Sequence, residues 1–324
     1  MPGAHTPGAD SGNMHWRILE TGSRPGAMNM AVDEAVLAEV EAGRSRPTIR
    51  VYGWSPACVS LGHSQIAGHE LDLDRIRELG YDVVRRCTGG RAVLHIDELT
   101  YSVIARPDSE AWCASQALSY KTISQAVARA LAQDGFGVTL DRGYPVEKPQ
   151  ALRAMTPCFS STARSEVVWG DRKLVGSAQR RLRNAFIQHG SILVSKAHRA
   201  IVDCLNLEAG KRASYLEILD RNAVSLEEAL GRPMAWTALA QGFGLRLAEA
   251  LGVEVGSGAD ASGDSSSFPA GLTAPGGLTA AESALAAALE AEKRGFMNEL
   301  PGNLSAPRLA AAGLAAATGE RPPC

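Results

Sequence analysis

The chain has 324 residues, 45% of them apolar, which is room for one large domain or two ordinary ones with a real core. Its 33 basic and 35 acidic side chains leave a formal net charge of −2, and that balance excludes the electrostatic footprint of a protein that binds nucleic acid or an anionic membrane. No apolar run approaches the roughly 20 residues of a membrane span.

The opening stretch "MPGAHTPGADSGNMHW" has neither the basic flank nor the apolar run of a secretory signal. The six cysteines, Cys58, Cys87, Cys113, Cys158, Cys204 and Cys324, are scattered and form no C-x-x-C pair. In a reducing cytosol most of them read as small buried hydrophobes, so a cytoplasmic protein is expected.

In chain order, residues 1–14 read as a loose tail rich in small residues and proline. "NMAVDEAVLAEVEAG" comes next as a helix with Asn29 as its cap and Met30, Val36, Leu37 and Val40 at helical spacing. "TIRVYGW" and "ACVSLGH" read as short strands joined by a turn at Ser55-Pro56. "DLDRIRELG" is a helix closed by Gly80, and "DVVRRC" and "LTYSVIA" are strands. "LSYKTISQAVARALAQDG" is the strongest helix, with Leu118, Ile123, Val127 and Leu131 on one face. "SEVVWGDRKLVGSAQ" reads as a hairpin turned at Gly170-Asp171, "FIQHGSILV" as a further strand, and two or three helices come after it.

Residues 256–277 are small, polar and aperiodic, which marks a linker at the end of a catalytic domain over 15–255. Beyond the linker, residues 278–300 hold a helix, "LTAAESALAAALEAEKR", with Thr279 as cap and Glu282 as its box partner. Its alanine-rich face suits docking on a larger body, and 301–324 reads as a second tail. Adjacent hairpin strands interspersed with helices predict an α/β fold of the α+β type: a mixed, largely antiparallel sheet flanked by helices.

Phosphate-cradling G-x-x-x-x-G-K-[ST], nucleophile-elbow, dinucleotide-binding and H-E-x-x-H signatures are all missing. The seven histidines show no metal-ligand spacing, and Asp97-Glu98 beside His95 reads as a solvated strand edge. In "RRCTGGRAVLHIDELTYSV", Arg85 and Arg86 end a strand and enter the Gly89-Gly90 turn. They could be a salt-bridged strand end, or cations for a carboxylate or phosphopantetheine group beside glycines that leave room for an acyl chain.

Cys158 comes after a proline in a loop, and a thiol with a pKa near 8.5 needs a nearby cation to act as a nucleophile at neutral pH. Lys173, across the hairpin, is the cation on offer, and Gly176 and Ser177 would let a ligand lie against the backbone. A structural cysteine and a solvated hairpin lysine fit the spacing equally well. His189 and Gly190 lie on the "QHGSIL" strand, where a histidine is as readily a core residue.

Together, "NMAVDEAVL", "PTIRVYGWSPACVSLGHSQ", "RRCTGGRAVLHIDELTYSV", "CF" at Cys158, "RKLVGSAQRR" and "QHGSIL" resemble the biotin/lipoate ligase and acyltransferase superfamily over roughly residues 16–194. Within it they are most similar to the cysteine-dependent octanoyl-[acyl carrier protein]:protein octanoyltransferases. The resemblance implies a biotin/lipoate ligase-like catalytic domain. It also implies an acyl chain held beside Arg86, Gly89, Gly90, Arg91 and His95 on one side and Gly176, Ser177, Gln179, His189 and Gly190 on the other.

In that scheme Cys158 takes octanoyl from octanoyl-acyl carrier protein as a thioester. It then passes the group to a lysine of the glycine cleavage H protein or another lipoyl domain, in lipoate biosynthesis. Lys173 matches the family lysine that lies by the acyl carbonyl and lowers the thiol pKa. No ATP, metal or other cofactor is implied, since a thioester already carries the activation, and a monomer without nucleic-acid or membrane partners is expected.

Arg91 stands where related lipoate ligases usually carry a third glycine beside an acyl-adenylate, so its side chain would crowd that approach. The residues before Cys158 depart from the family's small-residue lead-in, which bears on acyl or acceptor preference. An ATP-dependent lipoate or octanoate ligase, an amidotransferase between lipoyl domains and a silent acyl- or biotin-binding module are the rival readings.

Overall fold

The computed structural model describes residues 15–141, 165–208, 210–256 and 277–298. The segment that carries Cys158, the 1–14 and 301–324 stretches and nearly all of the linker lie outside the described residues.

Strand β1 (Arg17–Arg24) leads into helix α1 (Gly26–Glu41), and the chain returns as β2 (Thr48–Trp54), parallel to β1 with Ile18 opposite Ile49. It then builds a small sheet from β3 (Cys58–Leu61), β4 (Asp82–Arg85) and β5 (Val93–His95), with helices α2 (Ala67–Glu70) and α3 (Leu73–Glu78) between the first two strands. Next come β6 (Glu98–Ala105), α4 (Gln116–Gln133), β7 (Thr139–Leu140), β8 (Val167–Trp169), β9 (Arg172–Arg181) and β10 (Phe186–Leu193). A 3-10 segment, Lys196–Asp203, precedes α5 (Lys211–Asn222), α6 (Leu226–Leu230), α7 (Trp236–Ala240), α8 (Phe243–Leu251) and α9 (Ala280–Asn298).

The large sheet has the order β1-β2-β6-β10-β9-β8-β7, and every pairing after β1-β2 is antiparallel. The small sheet, β4-β3-β5, is mixed. This is the mixed, largely antiparallel sheet flanked by helices that the alternation of hairpins and helices predicts. On one face α4 and α8 pack Ile123, Val127, Phe243 and Leu247 against Ile49, Val51, Tyr101 and Phe186. On the other, α1 and α9 set Val32, Val36, Val40 and Ala286 against Leu19, Ile104 and Ile187. Among the described residues no helix is long and apolar enough to cross a membrane.

Several local expectations change. Helix α1 starts at Gly26 after Pro25, whose φ of −58° suits that position. Asn29 is therefore not its cap. It is fully buried and donates from Nδ2 to the carbonyls of Arg24 and Gly53, at 3.1 and 2.8 Å, which ties the helix to the ends of β1 and β2. Strands β2 and β3 do not pair, because both edges of β2 are taken by β1 and β6. Leu118 is 45% exposed, at the start of α4 before the helix reaches the sheet. Between β10 and residue 256 the described residues hold four short α-helices and a 3-10 segment, more than the two or three expected, since Gly210, Gly231 and Gly242 break the chain into short pieces at positive φ.

Candidate active site

A pocket opens where the two sheets meet, because β3 and β5 approach the middle of the large sheet beside β2, β9 and β10. Its apolar wall is Met30, Tyr52, Trp54 and Val93, and its polar wall is Ser60, Arg86, His95, Thr100, Ser177, His189 and Ser191, with Gly176 and Gly190 at the backbone. The cavity is small, about 30 Å³, and partly open to solvent.

Arg86 is 4% exposed and lines the pocket. Its Nη1 donates to the carbonyl and hydroxyl of Ser60 at 2.9 and 3.0 Å, and its Nη2 to the carbonyls of Gly89 and Arg91 at 2.9 and 2.7 Å. Arg85 likewise donates to the carbonyls of Gly62, His63 and Gln65. Arg86 therefore braces the glycine loop, and Arg85 the 62–65 turn beside it. Gly90 needs its glycine, with φ at +97°. Gly89 and Gly90 are exposed, and neither they nor Arg91 lines the pocket. The positive charge of Arg91 is felt at Tyr215 of α5.

His95 is 6% exposed and stacks on Trp54 with 3.9 Å between ring centroids. Its Nδ1 lies 2.7 Å from Glu98 Oε1 and its Nε2 lies 2.6 Å from Ser60 Oγ. Glu98 is 2% exposed, so this is a buried acid–histidine pair and not the solvated strand edge expected from Asp97-Glu98, of which Asp97 alone faces solvent. No group of three or more metal-binding side chains occurs among the described residues.

His189 repeats the arrangement on β10. Its Nε2 lies 2.6 Å from Thr88 Oγ1, and its Nδ1 faces Asp33 Oδ2 at 3.5 Å. Burial lowers its pKa, and Asp33 only partly offsets that, so the ring is neutral at pH 7. Gly190 is required because a Cβ there would sit 2.6 Å from Ser177 Oγ and 2.7 Å from a ring carbon of Tyr101.

Gln179 faces away from the pocket, donating to Ser119 of α4 at 3.0 Å and to Gln188 at 3.2 Å. Lys173 is 2% exposed and outside the lining, with its ammonium 2.5 Å from Glu166 Oε1. A solvated hairpin lysine is thereby excluded, and the carboxylate beside it moderates its field. Cys158 lies outside the described residues. Cys58, Cys87, Cys113 and Cys204 are buried free thiols, and burial pushes those of Cys113 and Cys204 up to about 12.

Sequence reasoning missed Asp33, Arg50, Ser60 and Glu98. The available signal was an acid in an apolar helix face, Asp33 between Met30 and Val36, and a cation in an apolar strand, Arg50.

Residues 25–244 match the lipoyl protein ligase A/B catalytic domain family. The chain is 40% identical over 248 residues to the octanoyltransferase LipM of Kyrpidia tusciae, covering 74% of this chain and 88% of that protein. It is 39% identical over 243 residues to the octanoyltransferase LipM of Symbiobacterium thermophilum, covering 74% and 87%. Among solved structures, the bipartite lipoate protein ligase of Thermoplasma acidophilum superposes with a TM-score of 0.66 at 21% identity, over 90% of this chain and all of that one.

Proposed function

The chain belongs to the lipoyl protein ligase A/B catalytic domain family, and on that premise we propose that it transfers an octanoyl group from octanoyl-acyl carrier protein to a lysine of a lipoyl-domain protein. The observation that carries this reading is the extended similarity to proteins named octanoyltransferase, at 40% identity over 88% of one of them.

In the proposed reaction the thiolate of Cys158 attacks the donor thioester, carrier thiol leaves, and a Cys158 acyl-thioester remains. The acceptor lysine then attacks that thioester and keeps the octanoyl group as an amide. The residues of the pocket suit a thioester. Gly176 lets an acyl group lie against backbone, and Met30 and Trp54 offer apolar surface. The ammonium of Lys173, held in a buried ion pair, favours the cysteine thiolate and the developing oxyanion. With Cys58, Cys87, Cys113 and Cys204 buried and protonated, Cys158 has no rival among the described thiols.

The test is intact-protein mass spectrometry after mixing with octanoyl-acyl carrier protein, without ATP or acceptor. A gain of one octanoyl group, released by hydroxylamine and absent from Cys158→Ala, is expected. No adduct without ATP, together with acylation of a lipoyl domain that requires ATP, would make the protein a ligase.

A further inference from the structure

We propose that Ser60, His95 and Glu98 form a proton relay that deprotonates the acceptor amine in the second half of the reaction. The inference rests on the octanoyl-transfer reading above and assigns a role which that reading leaves open. A lysine side chain arrives as an ammonium and has no lone pair with which to attack a thioester until a base removes a proton. Lys173 is already engaged by the carboxylate of Glu166, 2.5 Å from its ammonium, and lies outside the pocket lining.

Hydrogen-bond directions at Ser60 single out its relay. The guanidinium of Arg86 can only donate, so the hydroxyl oxygen of Ser60 accepts from Nη1 at 3.0 Å. The hydroxyl proton is thereby turned toward His95 Nε2, 2.6 Å away. Glu98 can only accept while ionised, so the neutral ring carries its proton on Nδ1, 2.7 Å from Oε1, and leaves Nε2 as the acceptor. Thr100 Oγ1 donates to the same Oε1 at 2.7 Å and the Ser191 hydroxyl lies 3.3 Å from Nδ1. Oε2 of Glu98 is buried with no hydrogen-bond partner among the described residues, so the carboxylate has acceptor capacity to spare for an imidazolium.

Ser60 and His95 both line the pocket, with Glu98 behind them. The pair formed by His189 is weaker as a base. Its carboxylate, Asp33, stands at 3.5 Å and is already matched by Arg50 at 2.7 Å.

The step balances. The ammonium gives one proton to Ser60 Oγ as Ser60 passes its own to His95 Nε2, and Glu98 compensates the imidazolium. The free amine forms the C–N bond, the C–S bond breaks, and the nitrogen's second proton leaves with the sulfur as a thiol. His95 then releases its proton to solvent.

The experiment separates the two half-reactions in His95→Gln, Glu98→Gln and Ser60→Ala. Each purified full-length variant is acylated with octanoyl-acyl carrier protein and followed by intact mass spectrometry. Its acyl group is then chased either with a recombinant lipoyl domain or with hydroxylamine, which is neutral at pH 7 and needs no base. Expected is that transfer to the lipoyl-domain lysine slows by about 100-fold or more relative to hydroxylamine release from the same acyl-enzyme. Glu98→Gln is isosteric and Ser60→Ala removes a single oxygen, so they carry the test should His95→Gln fail to fold. Lysine transfer at the wild-type rate overturns the relay, as does loss of hydroxylamine release in step with lysine transfer. Absence of any acyl-enzyme in wild type overturns the transfer reading itself, and the relay with it.

Discussion

Asp33 is buried on α1 with four partners: Arg50 Nη1 at 2.7 Å, the Tyr52 hydroxyl at 2.9 Å, Ser102 Oγ at 3.1 Å and His189 Nδ1 at 3.5 Å. Burial alone would push its carboxyl up, but Arg50 and the hydrogen bonds outweigh that and hold it below its ordinary value of 3.8. A carboxyl lowered in the folded state contributes stability that is full above the unfolded value and is lost as pH falls through the folded one. Asp33→Asn leaves the guanidinium of Arg50 buried opposite a neutral amide, and should cost about 3 kcal/mol at pH 7. That deficit should shrink in urea melts as pH falls below 3.8, where the carboxyl of the unfolded chain takes up its proton first. A deficit unchanged with pH would locate the cost in shape and not in charge. The sequence exposes only half of this arrangement. Asn29 and Asp33 are visible as polar residues in an apolar helix, but their partner Arg50 lies on another element, and single-element periodicity cannot say that two misplaced charges meet.

At the scale of elements, the glycine loop after β4 is held by contacts that cross sheets. A Cβ at Gly62 would overlap the carbonyl oxygen of Gly90, whereas one at Gly89 would meet nothing within 4 Å. Gly62→Ala should therefore displace the loop that Arg86 braces, costing about 1–3 kcal/mol and raising KM for the acyl donor. Gly89→Ala should stay within about 0.5 kcal/mol of wild type with KM unchanged, since its added methyl points into open space. Thermal melts and donor titrations of the two variants decide the matter, and equal effects would refute the packing account.

The glycine pair and its flanking arginines are conspicuous in the sequence because they interrupt an apolar strand. Gly62 looks like an ordinary strand-end glycine, as its reason for being glycine lies 28 positions further along the chain. Strand β5 escapes notice for a related reason. Three residues are too few for a period, and its pairing is supplied by β3. The hairpin of β8 and β9 is legible throughout, since both strands and the turn at Gly170 are local.

For the whole molecule, the question is what a helix beyond the linker does for a pocket it never touches. Thr279 and Glu282 close the expected capping box, with Thr279 N donating to Glu282 Oε2 at 2.8 Å and Glu282 N donating to Thr279 Oγ1 at 3.2 Å. The same Glu282 pairs with Arg17 of β1, 265 positions away, where Arg17 Nη1 lies 2.8 Å from Oε2. Both groups are buried, so α9 is locked to the sheet by charge as well as by its alanine face. Further along, Lys293 Nζ reaches Glu34 Oε1 at 2.7 Å, and the ring of Phe296 lies 5.2 Å from the guanidinium of Arg85. Arg85 in turn holds three carbonyls of the 62–65 turn that abuts the glycine loop.

The helix thus has a stabilising end and an end that backs the turn beside the glycine loop, and substitutions should separate them. Glu282→Ala strands the buried Arg17 and should cost about 3–5 kcal/mol, with kcat and KM unchanged at temperatures where the protein stays folded. Phe296→Ala removes the stacking surface over Arg85 and should raise KM for the acyl donor several-fold, with a smaller loss of Tm. Melting curves and donor titrations run side by side would show the contrast. If Phe296→Ala lowers Tm as far as Glu282→Ala and leaves KM at the wild-type value, α9 is a structural brace along its whole length.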